Sequence, residues 1–304
     1  MSNNFWFMGT GQFAALCLEG LVRRNIEFAK IITGFPTRSG RNNRENPSHV
    51  EIKANELGLS VTRTGKLTEN HELLSEVDSN PPEIIFVIDF GQMIKPPFLD
   101  CMCLNIHPSL LPEYRGAAPI QRALLDGKDK TGVTVFQLVK AMDAGDILAQ
   151  REITVKPEHN ASDLYNILSD LGSELAAESL KAPLIFRPQD NSLATFADKL
   201  MKEEFALSFS MTAQKIFNSV RALDMSGGAY VTMHNGKRLK LWRVKLRSDL
   251  HDEESGKILE IANCPVISCG DFAIELLEVQ AEGKNKTSGL EWSRGMRLKE
   301  GEIL

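Results

Sequence analysis

The sequence predicts an α/β domain built on a mostly parallel sheet, followed by a small β-barrel. Three observations carry that expectation. Apolar strand patterns alternate with amphipathic helical patterns over the first 150 residues, the mark of βαβ units. After Arg187-Pro188 the chain turns polar and loses clear periodicity, as a linker does. Beyond residue 208 short strand-like runs lie close together, separated by turns such as Asn235-Gly236 and Cys269-Gly270-Asp271, which suits a small barrel. At 304 residues the chain is long enough for two domains. The division read from these features is a domain over 1–188, a linker over 189–208 and a second domain over 209–304.

The elements follow in order. Phe5–Met8 reads as a short buried strand, and Gly9-Thr10-Gly11 turns the chain into an amphipathic stretch, Phe13 to Leu21. Glu27–Gly34 is a second strand, followed by a polar loop, Phe35 to Pro47, carrying Arg38, Arg41 and Arg44. Ser48 is placed to cap a helix that ends at Leu57, with Gly58 just beyond. Further strands are expected at Ile84–Asp89, Leu104–His107, Gly132–Val139 and Ile147–Val155. Ser162 to Leu180 is the clearest helix, since Leu164, Ile167, Leu168, Leu171 and Leu175 recur at helical spacing. That stripe reads as core packing. The last part offers one helix, Thr212–Ala222, and strands at Ala229–Met233, Leu239–Leu246, Gly256–Ile261, Pro265–Ser268 and Ala273–Val279.

Composition narrows the function classes. Hydrophobic residues make up 42% and charged residues 25%, which fits a globular protein and excludes collagen, coiled coil and low-complexity disorder. The longest apolar run, Ile84–Ile88, is far too short to span a membrane. Met1-Ser2-Asn3-Asn4 lacks a basic region leading into an apolar core, so the expectation is a cytoplasmic protein with no membrane partner. The five cysteines include no Cys-x-x-Cys, and Cys101-Met102-Cys103 is too tight for zinc. Reduced, inert thiols and no metal are expected. A net charge of −5 gives no global signature for DNA or RNA. The last hundred residues nevertheless hold 14 Lys+Arg against 13 Asp+Glu, with the cations clustered. Lys237, Arg238, Lys240, Arg243, Lys245 and Arg247 have no acid between them. Arg243, Lys245 and Arg247 alternate with Val244 and Leu246, giving a basic strand face able to track phosphates. Trp242 is expected on the opposite, buried face.

Three segments carry chemistry. Gly9-Thr10-Gly11-Gln12-Phe13-Ala14 matches the G-x-G-x-x-G/A dinucleotide turn. The matching acid at the end of the second strand is absent from Ile31–Arg38, so the turn reads as structural. Asn105 and His107 lie two apart on a strand and project the same way. Both can donate hydrogen bonds to a developing oxyanion. Asp143 precedes a small-residue turn, Ala144-Gly145-Asp146; it is a turn former or a partner that orients and charges His107. Ser109 follows Pro108 without the pattern of a nucleophile elbow, which argues against a serine hydrolase.

Taken together, Asn105-x-His107-Pro108-Ser109-Leu110-Leu111-Pro112, Tyr114-Arg115-Gly116-Ala117-Ala118-Pro119-Ile120-Gln121 and Asp143-x-Gly145-Asp146 resemble the 10-formyltetrahydrofolate-dependent formyltransferases. The Ser-Leu-Leu-Pro and Arg-Gly-Ala-Ala-Pro-Ile-Gln runs are most similar to the branch acting on methionyl-tRNA. Gly9–Ala14, Arg38-Ser39-Gly40-Arg41 and Ala197-Asp198-Lys199-Leu200-x-Lys202-Glu203-Glu204 extend the resemblance over nearly the whole chain.

The resemblance implies a Rossmann-like catalytic domain and an OB-like C-terminal barrel. It implies Asn105, His107 and Asp143 as the catalytic set, with direct attack by an amine. It assigns Ser109, Leu110, Leu111 and Pro112, with Asp89, Phe90 and Gly91, to the folate donor site. There Asp-Phe stands before Gly91 in place of the family's commoner Ala-Tyr. Arg38, Arg41, Arg44, Lys199, Lys202, Arg243, Lys245 and Arg247 are assigned to initiator methionyl-tRNA. A monomer using 10-formyltetrahydrofolate and no metal is expected. Leu223–Ala229 departs from the Pro-rich, Trp-bearing turn of the tRNA enzymes, and Ala206–Phe209 lacks a charged-aromatic pair. Competing readings are an amino-sugar N-formyltransferase, a 10-formyltetrahydrofolate hydrolase and a non-catalytic dinucleotide-binding module.

Overall fold

The computed structural model describes residues 4–39, 44–249 and 253–304. The chain divides into two units, Met1–Pro119 with Lys130–Val155 and Leu164–Ala197, and Ile120–Asp129 with Lys156–Asp163 and Asp198–Leu304.

In the first unit the chain runs β1 (Phe5–Gly9), α1 (Gln12–Arg23), β2 (Lys30–Gly34), β3 (Thr37–Ser39), β4 (Arg44–Asn46), α2 (His49–Glu56), β5 (Thr62–Thr64), α3 (His71–Ser79), β6 (Ile84–Ile88), β7 (Cys103–His107) and β8 (Arg115–Gly116). After α4 (Pro119–Leu125), which from Ile120 on belongs to the second unit, come β9 (Lys130–Gln137), β10 (Ile147–Thr154), α5 (Ala161–Ser179) and β11 (Phe196–Ala197). The main sheet has the order β10-β9-β7-β6-β1-β2-β5. β7, β6, β1, β2 and β5 are parallel, and β9 and β10 close one edge antiparallel. The order reverses between β6 and β1, the switch point where open α/β sheets bind ligands.

β1 and β6 are buried along their whole length, which explains their continuous apolar sequences. Trp6, Met8, Ile85 and Val87 face a core that includes Leu73 and Val77 of α3. On the other strand positions, Phe7, Phe28 and Phe86 meet edge to face. The face of α5 that packs most closely is made of small residues. A Cβ on Gly172 would lie 2.4 Å from Ile106 Cγ2, and Ser173 Oγ donates to the Cys17 carbonyl at 3.1 Å. Leu164, Leu168 and Leu175 are buried beside them, while Ile167 and Leu171 are half-buried. Ser48 caps α2 as expected, accepting from Glu51 N at 2.9 Å. The loop expected over Phe35–Pro47 carries an antiparallel ribbon instead, with Arg38 opposite Glu45 and Ser39 opposite Arg44.

The second unit continues with β12 (Ala206–Leu207), α6 (Ala213–Ala222), β13 (Ala229–Thr232), β14 (Arg238–Arg247), β15 (Ile258–Glu260), β16 (Val266–Ser268), β17 (Ala273–Ala281), β18 (Thr287–Ser288) and α7 (Gly289–Met296). The order is β12-β13-β14-β17-β16-β15, with β18 on β17. This is a curled, mainly antiparallel half-barrel. Arg221 of α6 anchors the 156–163 segment, donating to the carbonyls of Lys156 and His159 at 3.3 and 3.2 Å. No helix among the described residues is long and apolar enough to cross a membrane.

Candidate active site

β7 ends the parallel run of the sheet, and its last residue, His107, is buried. Asn105 is half-buried on the same strand face, opposite Phe136 of β9. Among the described residues nothing hydrogen-bonds the Asn105 carboxamide, which leaves both its donors for a ligand. His107 Nε2 lies 2.9 Å from the Tyr114 carbonyl. A carbonyl only accepts, so Nε2 carries a proton and Nδ1 is the nitrogen that faces Asp143. The Nδ1 to Asp143 Oδ2 distance is 3.8 Å, a charge contact longer than a hydrogen bond. The ring also stands edge-on to Phe136.

Asp143 sits in the β9–β10 loop with φ 47, in the left-handed region that non-glycine residues seldom occupy. Gly145 makes the turn possible, since a Cβ there would lie 1.7 Å from the Gln137 carbonyl oxygen. The Asp143 carboxylate accepts from Gly116 N at 2.8 Å. Its backbone carbonyl and that of Gly145 accept from Gln189 Nε2 at 2.8 and 2.7 Å. Gln189 Oε1 in turn accepts from Arg115 Nε and Nη2 at 3.2 and 2.7 Å. Arg115 and Gln189 are both buried, and Arg115 also reaches Asn191 Oδ1 at 2.7 Å. The sequence singled out Asp143 but not Gln189, which stands alone after Pro188.

The residues expected at the donor site fall into two loops. Ser109 is buried, and its hydroxyl donates to the Glu113 carbonyl at 2.6 Å. Thr134 Oγ1 bridges the loop, donating to Ser109 O at 2.7 Å and accepting from Leu111 N at 3.1 Å. Leu111 packs with Phe136 and Ile147, and Leu110 lies against Gly132. Pro112 is half-exposed and follows a cis bond.

Phe90 packs into the core, and Gly91 has φ 74. Asp89, at φ 44, answers the dinucleotide question. Its carbonyl accepts from Thr10 N and Gly11 N at 3.0 and 3.1 Å. Its carboxylate accepts from Phe13 N. A Cβ on Gly11 would lie 1.7 Å from Asp89 Oδ2, so the glycine admits this carboxylate. Asp89 exposes much of its surface, yet burial of its carboxyl group raises its pKa, against the lowering effects of His49 and the Phe13 amide. The turn amides that would cradle a pyrophosphate are thus engaged by the chain itself.

The cations expected to meet tRNA are distributed differently. Arg41 lies outside the described residues. The backbone of Arg38 and Arg44 lies in the β3–β4 ribbon. Lys199 and Lys202 are exposed, and Glu204 beside them pairs with Arg122 of α4. Arg243 and Lys245 stand opposite Glu278 and Glu275 of β17. Arg247 pairs with Asp249 at 2.9 Å and Glu260 at 3.2 Å. Trp242 corrects the sequence expectation. A register irregularity between Leu241 and Val244 places Trp242 half-exposed, outside with the cations. Lys286 Nζ lies 3.4 Å from its ring centroid, and its Nε1 donates to Gln280 Oε1 at 3.1 Å.

Among the described residues no group of three or more His, Cys, Asp or Glu side chains is placed to hold a metal ion. A family model described as formyl transferase matches residues 3–180, and one for the formyl transferase C-terminal domain matches 199–297. The chain is 37% identical over 290 residues to a methionyl-tRNA formyltransferase of Lactobacillus acidophilus, covering 92% of this chain and 91% of the relative. It is 33% identical to that of Caldanaerobacter subterraneus subsp. tengcongensis, covering 98% of each. Among solved structures, HypX from Aquifex aeolicus in complex with tetrahydrofolic acid matches with TM-score 0.64 at 17% identity, over 96% of this chain and 47% of that one. WlaRD, a sugar 3N-formyl transferase, matches with TM-score 0.63 at 18% identity, over 94% of this chain and all of its own. These two likenesses show the shared fold, whereas the full-length matches show kinship: the chain belongs to the formyl transferase family, in the branch of the methionyl-tRNA formyltransferases.

Proposed function

We propose that the chain transfers the formyl group of 10-formyltetrahydrofolate to the free α-amino group of initiator methionyl-tRNA, giving N-formylmethionyl-tRNA. The observation that carries this reading is the Asn105, His107 and Asp143 set at the end of β7, in a chain that is kin over its full length to enzymes named for this reaction.

The neutral amine attacks the formyl carbon, and a nitrogen–carbon bond forms. Negative charge develops on the formyl oxygen. The Asn105 carboxamide donates to it, and His107 donates from Nδ1 as the imidazolium, since its Nε2–H is held by the Tyr114 carbonyl; one well-placed donor is worth about 3–4 kcal/mol. Asp143 takes the proton that the amine sheds, directly or through a water. The electron pair then returns, the bond to the donor nitrogen breaks, and that nitrogen receives the proton. No acyl-enzyme is needed. The Ser109 hydroxyl, already donating to Glu113 O, supports a structural role for it in the loop.

In this reading Ser109–Pro112 and Asp89–Gly91 bound the donor site. Arg38, Arg41, Arg44, Lys199, Lys202, Arg243, Lys245 and Arg247 meet the tRNA, with residues 1–188 as the catalytic domain and 209–304 as the tRNA-binding one. The protein works as a cytoplasmic monomer.

The test is incubation with 10-formyltetrahydrofolate and charged initiator methionyl-tRNA, followed by assay for formylmethionine. His107→Ala is expected to lower turnover about 10²–10³-fold with folding intact. Donor binding without product on methionyl-tRNA would move the acceptor to an amino sugar or water. Near-normal turnover of the variant would remove the mechanism.

A further inference from the structure

We infer that Gln189 and Thr195 are positioning residues for the His107–Asp143 pair, so that the segment 189–197, polar and linker-like in sequence, is a working part of the catalytic centre. This rests on the proposed formyl transfer only for its activity readout.

The geometry comes from the first unit alone. The segment fastens the loop Pro112–Ala118 along its length. Thr195 N donates to Pro112 O at 3.3 Å, and Thr195 O accepts from Arg115 N at 2.9 Å. Thr195 Oγ1 accepts from Tyr114 N at 2.8 Å. Ala197 O accepts from Ala117 N and Ala118 N at 2.8 and 3.1 Å. The held loop then presents two groups to the catalytic side chains. Tyr114 O receives His107 Nε2, and Gly116 N donates to the Asp143 carboxylate. Tyr114 is itself held at φ 59, a conformation that persists only when the surroundings fix it.

Gln189 acts more directly. A carboxamide offers two donors and two acceptor sites, and all four are used. Its NH₂ donates to the carbonyls of Asp143 and Gly145. Its oxygen accepts twice from Arg115. The buried Arg115 links this carboxamide to Asn191. Gln189 therefore sets the backbone position of Asp143, and Thr195 sets the loop that orients both Asp143 and His107.

Gln189→Glu separates positioning from mere structural support. A glutamate still accepts from Arg115, as an ion pair, but turns a carboxylate oxygen toward the two carbonyls that Gln189 now serves. Misplacement of a reacting group by about 1 Å can cost 10²-fold. The expected result is a fall in kcat of about 10²-fold with a displaced pH profile of kcat. KM for 10-formyltetrahydrofolate and for methionyl-tRNA is expected to stay within about twofold. Thr195→Val, nearly isosteric, removes only the acceptor of Tyr114 N and is expected to lower kcat several-fold, whereas Thr195→Ser is expected to restore it. Unchanged kcat in both Gln189→Glu and Thr195→Val overturns the inference.

Nitrogen-15 spectra of labelled histidine follow the His107 ring in the full chain without any turnover. Its signals are expected to move in Gln189→Glu. An unmoved His107 overturns the inference even where the parent chain formylates a different acceptor or none. If the parent acts on an amino sugar or on water, the acceptor assignment fails while the same variant comparison still decides the positioning role.

Discussion

Two regions of the molecule carry charge for opposite reasons. Around β7 the candidate side chains are few, buried or half-buried, and most are tied to one another: Arg115 to Gln189, Gln189 to the Asp143 loop, Tyr114 O to His107. Along β14 the cations are many, exposed or half-exposed, and faced by acids: Arg243 by Glu278, Lys245 by Glu275, Arg247 by Asp249 and Glu260. Chemistry on a small formyl group needs atoms fixed in space. Recognition of a phosphate backbone needs a field, and surface cations supply it through counterion release. Under the proposed function the first region is expected to be sensitive to geometry and the second to salt.

The largest effect that would break this contrast lies at Gly145. Gly145→Ala drives a methyl into the Gln137 backbone carbonyl, an atom that cannot move aside. Stability is expected to fall by about 1–3 kcal/mol, with turnover down about 10²-fold. Denaturant midpoints and kcat measure the two. An alanine variant with parental kcat would show that the Asp143 loop tolerates displacement, and the contrast would fail on the geometric side.

On the other side, the double variant Arg243→Ala, Lys245→Ala is expected to leave kcat alone and to raise KM for tRNA. The slope of log affinity against log salt is expected to drop by roughly 1 for each phosphate that the variant no longer neutralises. An unchanged slope would take these two strand residues out of the tRNA surface.

The smallest effect sharpens the comparison at Asp89, a carboxylate bound to the turn that opens α1. Burial raises its pKa, so the folded state binds the proton more tightly than the unfolded chain does. Stability contributed by this group is present at low pH and declines as pH rises from the ordinary aspartate value of 3.8 through the raised folded value. Asp89→Asn is expected to flatten that decline, read from denaturation midpoints at successive pH values. Parallel profiles for parent and variant would mean that the carboxyl group is not desolvated in solution.

Much of this was legible in the sequence because the signals were local. β1 and β6 are buried on both faces and read as unbroken apolar runs. α5 was placed within a residue or so by its leucine spacing, although its tightest packing falls to Gly172 and Ser173, which hydrophobic periodicity does not weigh. Asn105, His107 and Asp143 came from motif and resemblance, and the structure brings them to one place. α3 and α7 were missed, being short and carrying few apolar positions. Gln189 was illegible for a different reason. Its partner Arg115 lies 74 residues away, and no periodicity reports a pairing that tertiary structure alone creates. Strict alternation along β14 puts Trp242 on the buried face, and the register shift in that strand turns it outward.

The carboxylate over Gly11 has a consequence for the cell. A glycine turn at a helix start with free amides would attract triphosphates and dinucleotides. Asp89 is tethered to that turn, so it competes at an effective concentration of at least millimolar order whatever the metabolic state. Its contacts with the Thr10, Gly11 and Phe13 amides stand where a nucleotide phosphate would otherwise bind.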